Sequence, residues 1–158
     1  MPVRKGEAMK ILTEVIGDAA VRRQVVDATV ALVEREVEAK GGISGFAIKQ
    51  GFKAVRGLKN GRMIHDVVDG LLPEFAGAIA PLHAEYAAAP TAAGFGSFLS
   101  SRGDRAANAL LSITDARARK TEHAVLRKTY ETLRSMGEKH VKEALPGVGQ
   151  LVDRFTKS

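Results

Sequence analysis

Apolar side chains recur every three or four residues along most of this chain, and that spacing constrains the fold more than any other feature. The spacing is clearest between Asp18 and Lys40, where two adjacent apolar stripes run along one side of a predicted helix. The stripes consist of Val21, Val25, Ala28 and Leu32, with Val26, Val30, Val33 and Val37 beside them. An apolar arc this wide is typical of a central helix that contacts several neighbours. We therefore predict an all-α protein.

Turn and capping residues divide the chain into helices. Asp18 precedes the broad apolar arc and can accept hydrogen bonds from the first backbone N–H groups, and Gly41-Gly42 follows the arc as a stop. Pro73 suits the first position of a helix, whereas Pro81 should kink or divide one because proline lacks the N–H donor. The other predicted helices are Gly6–Ile16, Ser44–Leu58 with Ser44 as its cap, Arg62–Leu72, Arg105–Arg119 capped by Ser101 or Asp104, Thr121–Leu145 with a possible interruption at Gly137, and a short helix after Pro146-Gly147.

The chain length fits one domain. A chain of 158 residues buries roughly 70% of the surface that it exposes when unfolded, which is enough for a core without covalent staples. We predict a single-domain bundle over residues 1–158, with about seven to eight helices, some of them short or kinked by proline. The segment 87–96 is rich in Ala, Gly and Pro and is a possible hinge.

No segment of the sequence predicts a membrane span, since no run of ~20 apolar residues is present. Lys10 and Glu14 interrupt any apolar core of a signal peptide near the N-terminus. Cysteine is absent, which excludes disulfides and thiolate chemistry. We expect a cytoplasmic protein.

Charge is segregated along the chain. Residues 40–62 contain six basic residues and no acid, whereas residues 63–101 contain four acids and neither lysine nor arginine; the net charge of the whole chain is +6. This segregation favours either internal pairing of the two blocks or a basic face that is offered to an anionic partner.

The basic block is the candidate partner-binding site. Lys49, Lys53 and Arg56 fall on one side of the predicted helix, and Lys59 and Arg62 follow it. Such a row is ordinarily a solvated helix face, but it also suits nucleic-acid phosphates or the headgroups of anionic lipids. No nucleic-acid recognition motif accompanies it.

Two further features of the same helix are predicted to be structural. Phe46 and Phe52 flank the basic row and are expected to be core residues rather than platforms for base stacking. Gly51 lies mid-helix, where glycine costs ~1 kcal/mol relative to alanine. Its presence therefore indicates close approach by another helix.

The sequence contains no recognisable motif for catalysis or metal binding. No H-E-x-x-H pair and no G-x-S-x-G elbow occur, and the phosphate-loop-like run 94–98 lacks the third glycine, the lysine and the preceding strand. The four histidines, His65, His83, His123 and His140, are expected to be ordinary surface residues. We predict no catalytic residue, no metal ligand and no cofactor.

Three segments carry a family resemblance: Ser101–Ala118, Lys49–Leu58 and Leu71–Phe75. They resemble an uncharacterised family of small helical bacterial proteins, commonest in actinobacteria. The resemblance implies an all-helical fold, and because that family has no established activity it implies no catalytic residue.

The leading hypothesis from the sequence is a non-enzymatic interaction or scaffold protein, whose basic surface engages an acidic protein partner or a second copy of the chain. One alternative is a nucleic-acid-associated protein. Another is a carrier of an apolar ligand, because glycine-notched helices and the break expected at Pro81 can line a pocket between helices.

Overall fold

The computed structural model describes residues 12–156, and within that range every regular element is helical. This confirms the all-α prediction. A first helical segment, α1, covers residues 12–17, and the predicted helix Gly6–Ile16 otherwise lies outside the described residues. The seven helices that follow are α2 (Ala19–Ala39), α3 (Gly42–Arg56), α4 (Met63–Ala88), α5 (Gly94–Ser101), α6 (Gly103–Lys120), α7 (Ala124–Leu133) and α8 (Gly137–Thr156), with 3₁₀ turns at Leu58–Gly61 and Arg134–Met136.

The central helix α2 has the predicted limits. The Asp18 carboxylate accepts hydrogen bonds from the backbone N–H groups of Ala20 and Val21, at 2.9 and 3.0 Å. The helix ends at Ala39, and Gly42 follows with a φ of +72°, a conformation that costs glycine little.

Helix α3 begins three residues earlier than its predicted cap implies, and Ser44 is not that cap. Gly41 occupies the N-cap position, and the Gly45 N–H donates to the Gly41 carbonyl oxygen at 3.2 Å. The start is early because the chain folds back tightly on the end of α2. A Cβ at Gly45 would lie 2.6 Å from the carbonyl carbon of Lys40.

The close approach predicted at Gly51 is confirmed. A Cβ there would lie 2.9 Å from Thr129 Cγ2 and 3.0 Å from Leu133 Cδ1, both on α7. The missing side chain lets α3 and α7 pack closely.

The predicted division at the prolines is wrong. α4 continues through both Pro73 and Pro81, so no separate helix Arg62–Leu72 exists. Pro73 leaves the carbonyl of Asp69 without its helical donor. The Arg22 guanidinium of α2 supplies the missing bond, because Nη2 donates to the Asp69 carbonyl oxygen at 2.7 Å while Nε donates to Asp69 Oδ1 at 2.7 Å.

The C-terminal helices also differ from the prediction. α8 runs through Pro146, so the predicted end of a helix there is wrong, whereas the interruption expected at Gly137 is confirmed by the 3₁₀ turn that precedes it. Thr121 precedes α7 and accepts from the His123 N–H at 3.3 Å rather than capping a long helix. Neither Ser101 nor Asp104 caps α6, because that helix already begins at Gly103.

The segment proposed as a hinge is a short connection that is anchored on both sides. The Tyr86 hydroxyl donates to the Thr91 carbonyl oxygen at 3.1 Å. Just beyond it, the Phe95 N–H donates to Asp153 Oδ2 of α8 at 3.1 Å, which places a carboxylate at the N-terminus of α5. Hinge motion at this place stays a prediction.

Buried apolar side chains form two clusters. The larger one joins α4, α5, α6 and α8 around the fully buried Phe95, Leu99 and Leu145. The smaller one joins α2 and α4 through Val26, Val30 and Val68, among others. The space between these clusters contains the first candidate site.

Candidate functional site

An apolar pocket of about 560 Å³ separates the two clusters. Leu12 and Ile79 of the larger cluster and Val25 and Leu72 of the smaller cluster line it from opposite sides. Five of the helices, α1, α2, α4, α6 and α8, contribute most of the wall, and α3 and α7 complete it. The lining is almost wholly hydrocarbon, and sequence periodicity did not reveal it because a residue that lines a pocket follows the same apolar spacing as one in a close-packed core.

One end of this pocket is polar. The Lys40 ammonium, on a side chain that is only 6% exposed, lies 3.3 Å from Glu36 Oε2 and 3.2 Å from Glu143 Oε2. A buried ammonium is tolerated here because it is paired on two sides. The hydrogen bond from the Lys40 ammonium lowers the pKa of the Glu143 carboxyl below its usual value.

His140 lies beside this ion-pair cluster and lines the pocket. The sequence predicted a surface histidine, but its side chain is largely buried, and neither ring nitrogen has a hydrogen-bond partner within residues 12–156. Burial lowers its pKa, the Lys40 charge acts in the same direction, and Glu143 opposes them. Nδ1 lies 3.5 Å from Glu143 Oε1, so in the neutral imidazole Nε2 is the nitrogen left free for an occupant of the pocket.

A second polar group braces the wall of the pocket between α6 and α7. Arg134 Nε and Nη2 donate to the two oxygens of Asp115 at 2.7 and 3.1 Å, and the Tyr130 hydroxyl donates to Asp115 Oδ1 at 2.5 Å. Burial, followed by the hydrogen bond to Asp115, raises the pKa of Tyr130 to about 12. The Arg134 bond lowers the pKa of Asp115. These groups satisfy one another and have a structural role.

Helix α7 is the least buried part of this wall. None of the residues of α7 is fully buried, although Tyr130 and Leu133 reach the pocket.

The second candidate site is the outer face of α3, where the basic residues predicted from the sequence are placed. Lys53, Arg56, Lys59 and Arg62 are exposed and Lys49 is half-buried. Lys59 Nζ lies 3.9 Å from Asp66 Oδ2.

The other four cations of this set form no ion pair within the part of the chain that the structure describes, residues 12–156. Lys40, which belongs to the same acid-free run, instead points inward and is neutralised by its two glutamates.

The outer face also carries two apolar side chains that the sequence reasoning missed. Ile43 is 92% exposed and Phe46 is 67% exposed, so the prediction of a core Phe46 is wrong. The reason is rotational: the inner side of α3 is occupied by Gly45, Gly51 and Val55, and Phe46 lies on the opposite side of the helix. Phe52 is half-buried, with the Arg56 guanidinium 5.9 Å from its ring centre.

The opposite-charge blocks pair only in part. Lys59 with Asp66 joins residues 40–62 to residues 63–101, but Asp69 pairs with Arg22 and Glu85 pairs with Arg105. Two of the four acids in residues 63–101 are therefore paired with other parts of the chain, and most of the basic face of α3 is left open.

Comparison with known proteins identifies a family without a known activity. The model of a family of unknown function, DUF6918, matches residues 12–156. The resemblance to an uncharacterised family is thereby confirmed, and the bacterial origin stays a prediction. No curated protein and no solved structure matches the chain. No helix among residues 12–156 is both long enough and apolar enough to cross a bilayer.

Proposed function

We propose that this chain, which belongs to the family of unknown function DUF6918, is a non-enzymatic carrier of an apolar ligand. The observation that supports the proposal best is the pocket between the two core clusters. Its volume of about 560 Å³ falls within the ~300–1,000 Å³ of typical small-molecule sites, and its wall is apolar with a few polar groups at one end.

The energetics favour a filled pocket. The wall of the pocket is almost wholly hydrocarbon, so water inside it finds few polar partners. An apolar occupant displaces that water and removes apolar surface from solvent, which is favourable by about 25 cal/mol per Å².

The polar end indicates what the occupant looks like. Lys40 is flanked by Glu36 and Glu143, and His140 is neutral, so these four groups together carry a net charge of −1. An anionic headgroup gains little there. A neutral head with a hydroxyl or amide can donate a hydrogen bond to Nε2 of His140, while a hydrocarbon tail fills the rest.

Mass spectrometry tests the carrier function directly. We expect protein purified under native conditions to retain a lipid-like molecule, and the protein stripped with organic solvent to bind Nile red saturably at one site. A bare mass together with absent or unsaturable dye binding would contradict the proposal.

The headgroup is tested by displacement. His140→Leu removes the hydrogen-bonding ring and should weaken displacement of Nile red by decan-1-ol by about tenfold, which corresponds to one hydrogen bond of ~1–1.5 kcal/mol. Binding of the dye itself should change little. Equal displacement in both proteins would refute the assignment of His140.

A second candidate function is partner binding through the basic face of α3, the hypothesis that led from the sequence. The four unpaired cations and the exposed Ile43 favour it. Capture from lysate at low and high salt, with Lys49→Glu/Lys53→Glu/Arg56→Glu as the comparison, tests it. Capture that the triple reversal leaves unchanged would exclude this surface, whether the partner is acidic protein or nucleic acid.

A further inference from the structure

We propose that the outer face of α3 docks this protein on the surface of an anionic membrane. The inference rests on the second candidate function, whose partner it names, and it does not depend on the pocket. It follows from a combination of exposed apolar and cationic side chains on one helix face.

The apolar part consists of Ile43 and Phe46, which are three residues apart and so lie one turn from each other on the same face. Isolated exposed apolar side chains are normal on protein surfaces. Here two large ones, 92% and 67% exposed, stand together at the N-terminal end of α3. Gly41 and Gly42 precede them and are also exposed, so no larger side chain shields this corner from the N-terminal side.

The cationic part begins within the next turn of the same face. Lys53 lies two turns beyond Phe46, and Lys49 and Arg56 lie along its flank. Arg62 follows at the N-cap of α4. Residues 41–62 contain no acid, so no carboxylate of this segment opposes an anionic surface.

This arrangement fits a bilayer surface better than the other anionic partners. Phosphates of nucleic acid attract the cations, and an exposed phenylalanine can stack on an unpaired base, but an isoleucine that is 92% exposed gains nothing from either contact. A helix that lies flat in the interface uses both, because its apolar side chains insert at the boundary of the acyl chains while lysine and arginine contact the headgroups. The helix has 15 residues, which is long enough to lie along the surface over about 22 Å.

Co-sedimentation of the full-length protein with vesicles tests the proposal. We expect binding to vesicles of phosphatidylcholine that contain about 30% phosphatidylglycerol, an anionic lipid that gives the surface a negative potential. We expect little binding to phosphatidylcholine alone. Ile43→Ser/Phe46→Ser should weaken binding by roughly tenfold or more. Lys49→Glu/Lys53→Glu/Arg56→Glu should weaken it by roughly 100-fold or more, since each cation contributes about fivefold.

The chain offers matched controls. Val125→Ser removes an apolar side chain that is 43% exposed on α7 and should leave binding unchanged. Arg119→Glu/Lys120→Glu/Lys139→Glu changes the net charge by the same amount at exposed positions on α6 and α8, and it should cost much less affinity than the α3 reversal. Circular dichroism establishes that each variant is folded before it is compared.

Several results would overturn the inference. These are absence of binding to anionic vesicles, equal loss in the control and α3 variants, or an unchanged affinity of Ile43→Ser/Phe46→Ser. A dimer in sedimentation equilibrium that the same apolar double variant dissociates would instead assign the face to a second copy. If vesicle binding is absent while lysate capture still needs the three cations, the membrane is refuted but the basic surface is retained. Nile red binding reports on the pocket separately.

Discussion

A substitution that fills the pocket gives the sharpest test of the structure. Ala144 lies on α8, is half-buried, and lines the pocket between Val141 and Val148. Ala144→Leu adds three carbon atoms to space that the protein itself leaves empty. Burial of these carbons contributes about 0.8 kcal/mol each, or about 2.4 kcal/mol in total. Ordering the leucine side chain costs ~0.5–1 kcal/mol, so the ligand-free protein should gain about 1.5–2 kcal/mol.

This gain is measurable by thermal unfolding. For a protein of this size 1 kcal/mol shifts Tm by about 2–4 °C, so the stripped variant should melt about 3–8 °C above the stripped parent. Ala20→Leu is the control, because Ala20 is exposed in the first turn of α2 and its replacement buries almost nothing. The same Ala144→Leu variant should bind less Nile red and retain less co-purified ligand.

The opposite result would refute the reasoning. If residue 144 is already close-packed in solution, the extra carbons overpack the core and cost ~1–3 kcal/mol. A lowered Tm with unchanged dye binding would therefore show that the pocket is closed in the protein and that an apolar ligand is not held there.

Three other perturbations test the packing that surrounds the pocket. Arg22→Ala should lower the free energy of unfolding, measured with urea, by about 1.5 kcal/mol. In a Pro73→Ala background the helix regains its own N–H donor, so the same substitution should cost about 1 kcal/mol less than it does in the parent. Equal costs in the two backgrounds would refute the compensating role of the guanidinium. Gly149→Ala should lower the free energy of unfolding by at least about 3 kcal/mol, because a Cβ there overlaps the backbone of α5. Gly103→Ala is the control, because its Cβ meets only a lysine side chain 3.7 Å away and should be tolerated. Similar Tm values for the two variants would contradict the close crossing of α5 and α8. Burial lowers the pKa of His83 below the ~6.5 of the unfolded chain, so the unfolded state binds more protons and the free energy of unfolding should fall as pH decreases from 7 to 5. His83→Phe should make this pH dependence of stability shallower. An unchanged pH dependence would assign it to other groups.

The outer face of α3 shows which features can be predicted from residues that are close in sequence. The basic row was predictable because lysine and arginine spaced by three or four residues share a side of a helix. Which side of the helix faces water was not predictable for Phe46, because an aromatic residue is core or surface according to what packs beside it. That choice was made by α7, which contacts α3 at Gly51.

The pocket could not be predicted from the sequence, for a related reason. Val25 and Leu72 have the spacing of core residues and pack in the smaller cluster, yet they also line the pocket. Whether apolar side chains from different helices touch or leave a gap depends on the distance between the helices. That distance depends on crossings between helices, such as Gly96 with Gly149, which lie far from Val25 and Leu72 in the chain.

The sequence by itself determined the helical class, the start of α2 at Asp18 and the basic row of α3, because each of these depends on residues within about four positions of one another. Only the tertiary structure decided that α4 passes through Pro73 unbroken, that Lys40 is buried, and that a pocket divides the core. The missing donor at Pro73 is replaced by Arg22 from another helix, and the charge of Lys40 is balanced in part by Glu143 of α8. Hydrogen bonds and charges between residues that are remote in sequence outweigh the local preferences, and no local pattern records them.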